Sequence, residues 1–142
     1  MTDMDVTKIK KLVTDAGHHW TRPRYELFQL LMNGGPMSTK DIISQARGKS
    51  DRVSVYRNVA LFEQLGVIHR LNIGWKYKLE LSDQFVSHHH HLNCLNCGRV
   101  IDIEDEEHID EFIGEVSAQF GFQPKRHQFE IDGLCSDCQL AK

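Results

Sequence analysis

Hydrophobic residues recur at helical spacing through the first 66 positions of the chain, and then the period changes. Val6, Ile9, Leu12, Val13 and Ala16 fall on one face of a helix that stops at Gly17. A second helix is expected to open near Thr21 and Pro23, to carry Leu27, Phe28, Leu30 and Leu31, and to end at Gly34 and Gly35. Ser38, with Asp41 three residues on, resembles a capping box for a short third helix through Ile42, Ile43 and Ala46. A fourth opens at Ser50 or Asp51 and runs through Val55, Val59, Phe62 and Leu65 to Gly66. From there the alternation is two-residue. Val67 to Leu71 reads as one strand and residues 72–74 as a turn. Trp75, Tyr77, Leu79 and Leu81 then alternate with Lys76, Lys78 and Glu80. Helices followed by a hairpin make a winged helix-turn-helix.

Beyond a short junction at residues 82–87 the pattern differs. Residues 88–92 and 100–103 look like strands, and Ile109, Phe112, Ile113, Val116 and Phe120 form the stripe of an amphipathic helix. Phe129 and Ile131 alternate with Gln128, Glu130 and Asp132 in a last strand. The expected class is therefore α+β: a winged helix-turn-helix domain over residues 1–82 and a small α/β domain over residues 83–142. Halves of roughly 60–80 residues bury only marginal cores, so a metal staple or dimerisation is expected.

Charge separates the halves as well. The chain carries a net −3, which argues against nucleic acid until it is divided. Residues 1–82 hold 13 lysines and arginines against 8 acidic residues, a net +5, whereas residues 83–142 hold 4 against 12, a net −8. A basic half suits phosphates, and an acidic half suits cations or another chain. No apolar run approaches the roughly 18 residues that would cross a bilayer. Residues 1–5 also lack the basic and apolar regions of a signal peptide. A cytoplasmic location is the expectation.

All four cysteines sit in two pairs, Cys94 with Cys97 and Cys135 with Cys138. Two C-x-x-C turns supply four thiolates in a tetrahedron, the arrangement of a closed structural zinc site. The 37 residues between the pairs hold the strand, helix and strand described above, so the ion would tie the ends of the second domain together. The competing readings are disulfides, disfavoured in the cytosol, and a thioredoxin-type redox pair. The latter needs a C-x-x-C at a helix N-terminus, whereas Gly98 and a strand follow the first pair.

Nine histidines are many for 142 residues, and four are consecutive, His88 to His91. On an extended strand His89 and His91 share one face while His88 and His90 share the other. Each pair is about 6–7 Å apart at the backbone, which suits pinching one ion. Further ligands are at hand on each side. His69 and Glu80 on the wing strands are candidates for one site, and Asp110 and His127 for the other. A lone histidine such as His69 is otherwise an ordinary surface or core residue. His18, His19 and His108 belong in that class.

The order of these features resembles the ferric uptake regulator superfamily. A winged helix is followed by Ser54-Val55-Tyr56-Arg57 in its fourth helix, a His-rich strand leading into C-x-x-C-G, and a second C-x-x-C near the end. The resemblance covers nearly the whole chain. It implies a homodimer, joined through the second domain, whose fourth helix enters the major groove of an A/T-rich palindromic DNA operator. By analogy Tyr56 and Arg57 contact DNA, with Ser54 and Arg52 nearby. It also implies structural Zn2+ at Cys94, Cys97, Cys135 and Cys138. A sensing site between the domains includes His89, His91 and Glu80, and a third, variably occupied site falls at His88, His90, Asp110 and His127.

Within the superfamily the chain is most similar to the zinc uptake regulator branch. Iron-sensing members place a histidine just before the third helix, where this chain has Pro36; zinc-sensing members place a ligand where His69 stands. Against this, they often use a cysteine at the position of Glu80. His69, Glu80, His89 and His91 make an acceptable tetrahedral zinc set, and they would serve Fe2+ or Mn2+ if Asp102 joined. The expected function is a metal-dependent repressor controlling metal uptake, zinc-sensing first and iron-sensing as the alternative. An ion bound there would lock a hinge near residues 82–87. No motif for an open catalytic zinc occurs, neither H-E-x-x-H nor H-x-E with P-C-x-x-C, so an enzyme acting on a small organic substrate is not expected.

Overall fold

A computed structural model describes residues 2–46, 48–104 and 106–140. The chain divides into two compact units, residues 1–87 and 88–142. The first contains α1 (Asp3–Asp15), α2 (Arg22–Gly34), α3 (Thr39–Gln45), α4 (Arg52–Gln64), β1 (Ile68–Ile73) and β2 (Lys76–Leu81). Each helix begins where the capping chemistry lies. Thr2 and Asp5 form a reciprocal capping box on α1, Pro23 sits in the first turn of α2, and Ser38 accepts from the Asp41 N–H at the start of α3.

Ile9 and Val13 from α1, Leu27, Phe28 and Leu31 from α2, Ile42 from α3, and Val55, Val59 and Phe62 from α4 bury against Val67, Ile68, Leu79 and Leu81. This is one contiguous core, and it holds the helix-turn-helix against the wing. Met37 adds a link that periodicity did not reveal. It exchanges two backbone hydrogen bonds with Leu79, at 2.9 and 2.7 Å, as a short third rung of the wing sheet.

The hairpin turn falls one residue later than expected. Asn72 and Ile73 stay in β1, with Ile73 buried and opposite Lys76, and the turn is Gly74-Trp75. Gly74 supplies the positive φ (62°) that a two-residue hairpin requires. The junction at residues 82–87 packs on this unit. The Ser82 N–H donates to the Val67 carbonyl, Lys8 Nζ donates to the Gln84 carbonyl, and the Phe85 ring meets Phe28 edge-on at 5.2 Å.

The second unit contains β3 (His90–Cys94), β4 (Val100–Ile103), α5 (Glu106–Gln119), β5 (Glu130–Gly133) and α6 (Ser136–Leu140). Its sheet has the order β4-β3-β5, with β3 antiparallel to β4 and parallel to β5. The central strand starts at His90, two residues later than its hydropathy suggested, because the ladder to Ile103 opens there. The short helix α6 leaves no periodic signal in the sequence, since five residues are too few to show a helical period. Among the described residues of this unit Cys94 is the only one of hydrophobic type that is buried. Phe112, Phe120, Phe122, Phe129 and Ile131 are all exposed.

Candidate metal centres and nucleic-acid interface

The four cysteines converge. Cys94 ends β3, and Gly98, with φ at 76°, lets its N–H return to the Cys94 carbonyl at 2.9 Å, which closes the first thiolate turn. The Leu95 N–H donates to the Gly133 carbonyl at 2.8 Å and so brings the segment carrying Cys135 alongside. All four sulfurs lie within 4.8 Å of one another, and Cys97 Sγ is 3.8 Å from Cys135 Sγ. A tetrahedron with Zn–S bonds of about 2.3 Å has S···S edges of about 3.8 Å, so the set fits zinc. That separation is far too long for a disulfide, and the cysteines are free.

Donors aim at the sulfurs as they do around thiolates. The Cys135 N–H points to Cys94 Sγ at 3.4 Å, and Asn96 Nδ2 points to Cys138 Sγ at 3.3 Å. The Cys135 N–H, followed by those of Cys97 and Asn96, brings the Cys94 thiol down to about 6. The second C-x-x-C does sit at the start of a helix, α6, which is the placement a redox pair uses. Its two thiols nonetheless face Cys94 and Cys97, and Arg99 Nη2 bonds Asp137 Oδ2 at 2.8 Å beside them. Four sulfur donors fit a closed structural site.

His88, His90, Asp110 and His127 also gather, with ligand atoms within 4.8 Å of one another. His88 Nε2 and His127 Nε2 share a hydrogen bond at 2.8 Å, and Asp110 Oδ1 lies 3.5 Å from His127 Nε2. His90 is 1% exposed, and its Nε2 has no hydrogen-bond partner among the described residues. Burial, then the neighbouring His88 and His127, lowers its pKa and favours the neutral ring. A buried neutral imidazole with an unused lone pair beside two more imidazoles and a carboxylate fits a divalent ion.

The other predicted ligands form two pairs, one in each unit. In the first, His69 and Glu80 are cross-strand partners, and His69 Nε2 meets Glu80 Oε1 at 2.8 Å. Glu80 is only 5% exposed. In the second unit the His89 and His91 rings stand 4.6 Å apart. Asp102 Oδ1 is 3.9 Å from His89 Nε2 and 3.7 Å from His91 Nε2, and Glu130 Oε1 is 3.7 Å from His91 Nδ1. Buried Asn93 donates from Nδ2 to Glu130 Oε2 and Asp132 Oδ1, both at 3.1 Å. Periodicity marks Glu130 and Asp132 only as the polar side of a strand. It is the parallel pairing of β3 with β5 that brings them beside His91 and Asn93.

In α4 Val55, Asn58, Val59, Leu61 and Phe62 are buried, and Arg52, Val53, Tyr56, Arg57 and Ala60 face solvent. Asp51 caps the helix. Its Oδ1 accepts from the Ser54 N–H at 2.8 Å and its Oδ2 from the Ser54 hydroxyl at 3.0 Å. Ser54 is thereby engaged in shaping the helix start, and Arg52, Tyr56 and Arg57 are left as open polar groups. Asn58 accepts from Arg24 Nε at 3.1 Å, a polar clasp between α2 and α4. A capped helix with two exposed arginines and a tyrosine can enter a major groove and meet bases and phosphates.

The chain matches the Ferric uptake regulator family over residues 15–132. It is 32% identical to the ferric uptake regulation protein of Shigella flexneri over 147 aligned positions, which cover 98% of this chain and 94% of that one. Two solved structures share the fold. The ferric uptake regulator of Helicobacter pylori, a protein with three functional metal-binding sites, superposes with a TM-score of 0.83 at 24% identity, covering 96% of this chain and 93% of its own. That of Vibrio cholerae gives 0.71 at 26% identity, covering 89% and 98%.

Proposed function

The chain belongs to the ferric uptake regulator family, and we propose that it represses metal-uptake genes as a dimer when zinc fills a regulatory set made of His69, Glu80, His89 and His91. The family consists of metal-dependent, DNA-binding transcription regulators, not enzymes. No described helix is long and apolar enough to cross a membrane. A cytoplasmic repressor on a double-stranded operator is consistent with both.

The observation that carries the regulatory set is the His69–Glu80 pair at 2.8 Å. A carboxylate 5% exposed is costly unless it is paired, and an imidazole with a carboxylate forms half of a tetrahedral zinc set. His89 and His91 supply the other half from the second unit. When bound, the ion contributes positive charge and a fixed coordination geometry. The protein's part is to hold two ligands on the wing and two beside β3, so that filling the set fixes one unit on the other. In a dimer this selects the separation of the two α4 helices that fits the operator half-sites. Coupling of about 1–3 kcal/mol changes operator affinity by roughly 5–150-fold.

Arg52, Tyr56 and Arg57 are proposed to make the DNA contacts, with Ser54 positioned among them. Cys94, Cys97, Cys135 and Cys138 hold structural zinc. His88, His90, Asp110 and His127 form a third site, supported by ligand atoms that lie within 4.8 Å of one another. The exposed Phe112, Phe120, Phe129 and Ile131 support homodimerisation through the second unit, because a unit of this size needs that area covered.

Iron sensing is the second reading, and it is favoured by the names of the Shigella flexneri and Vibrio cholerae relatives and by Asp102 beside His89 and His91. Selection of duplexes from a random pool, at fixed salt, separates the two. Enrichment of a palindrome with buffered zinc alone establishes the zinc reading. Enrichment only with Fe2+ under anaerobic conditions replaces it with the iron reading.

A further inference from the structure

Trp75 is 96% exposed at the outermost point of the wing. The fold needs nothing large there. Gly74 supplies the turn conformation, the rungs on either side are closed by Ile73 opposite Lys76, and a small polar residue would serve at position 75. The neighbouring Lys76 is exposed as well. The hairpin that carries both is held to α4. Arg70 on β1 bonds Glu63 Oε1 of α4 at 3.0 Å, and its guanidinium lies 4.2 Å from the centre of the Tyr77 ring. A large aromatic with a cation beside it, on a braced projection of a basic unit, suits a polyanion that offers flat apolar faces between its charges.

We propose that Trp75 and Lys76 form a second contact with duplex DNA, beside the major-groove contact of α4. The proposal rests on the DNA-binding reading above. β1 and β2 have six residues each, and at about 3.3 Å per residue the hairpin reaches about 20 Å. Half a turn of duplex is about 17 Å, so a hairpin of this length can bridge from one groove to the next. There the indole packs on sugars or wedges at the groove floor, and the Lys76 ammonium neutralises a phosphate. Duplex DNA is favoured over a second protein chain because a lysine adjoins the indole, and lysine is depleted in protein–protein contacts.

The test uses the full chain, loaded with zinc, carrying Trp20→Phe so that Trp75 is the sole tryptophan. The probe is the A/T-rich duplex enriched from the random pool, with an end label whose anisotropy reports complex formation. In the complex the quenching of Trp75 by acrylamide is expected to fall severalfold. Trp75→Ala is expected to weaken duplex binding on the order of tenfold, with an unchanged melting temperature. Lys76→Ala is expected to reduce the salt dependence by about one released counterion. Full acrylamide access to Trp75 in a complex that anisotropy shows to be formed overturns the wing contact and leaves the α4 reading intact. Shielding of Trp75 before DNA is added, rising with protein concentration, assigns the tip to a second copy and overturns it too. If no duplex is bound at all, the DNA reading itself fails and the wing contact falls with it.

Discussion

Replacing Glu80 with Gln separates a ligand from a structural residue, because the two roles predict changes in different quantities. The carboxylate is 5% exposed and pairs with His69 at 2.8 Å across the wing. Glutamine keeps the shape and a hydrogen-bonding oxygen while removing a buried charge. Breaking a buried pair is strongly destabilising when it leaves an uncompensated buried charge, but here the glutamine oxygen still hydrogen-bonds His69, whose side chain is 29% exposed to solvent, so the cost is small. The metal-free variant is therefore expected to melt near the wild-type temperature.

The metal-bound protein behaves differently. At an ion concentration about 1,000 times the dissociation constant, binding adds about 4.1 kcal/mol to the stability of the folded state. Loss of one charged ligand that weakens binding about 100-fold removes about 2.7 kcal/mol of this. In a unit of 87 residues 1 kcal/mol corresponds to about 4–8 °C, so the metal-induced rise should shrink by about 10–20 °C. Thermal melts followed by circular dichroism, with and without buffered zinc, read both quantities from one sample. A metal-free variant that melts far below wild type yet keeps the full metal-induced rise would refute the reasoning, since Glu80 would then serve the fold and not the ion.

Two further outcomes divide the second unit and the recognition helix in the same way. Cys94→Ser should unfold the second unit or dissociate the dimer, whereas His89→Ala should leave a folded dimer that no longer binds DNA in response to metal. Sizing and circular dichroism that find both variants equally intact would sink the distinction between structural and regulatory sites. Asp51→Ala should fray the first turn of α4 and weaken operator binding, while Asp51→Asn keeps the cap. The Ser54 N–H and then its hydroxyl hold the Asp51 carboxyl below its ordinary 3.8, so the charged cap's contribution is complete above about that pH. It is lost as pH falls through the lower folded value. Helical circular dichroism of wild type and Asp51→Asn between pH 5 and 2 should therefore diverge only at the acid end.

What could be read from the chain alone was local. The helices of the first unit follow from apolar spacing, from caps such as Ser38, and from glycines such as Gly66. The paired C-x-x-C turns announce zinc because two residues of separation suffice to bring two thiolates to one ion. Strand ends and short elements were less legible. β3 begins at His90 and not His88, and α6 spans only Ser136–Leu140, because hydrogen-bond ladders and single turns leave no period in the sequence. Only the tertiary structure decided which distant groups meet. Met37 bonds Leu79 across 42 positions of sequence, and Asn93 reaches Glu130 and Asp132 through a parallel pairing that no local pattern encodes. Likewise His90 has its unpaired nitrogen buried beside His88, His127 and Asp110 because a strand, a helix and a loop fold onto one point. Side-chain periodicity states which face of an element is apolar; the partner of that face is set by packing, where the free energy of burial and the geometry of the whole chain are decided together.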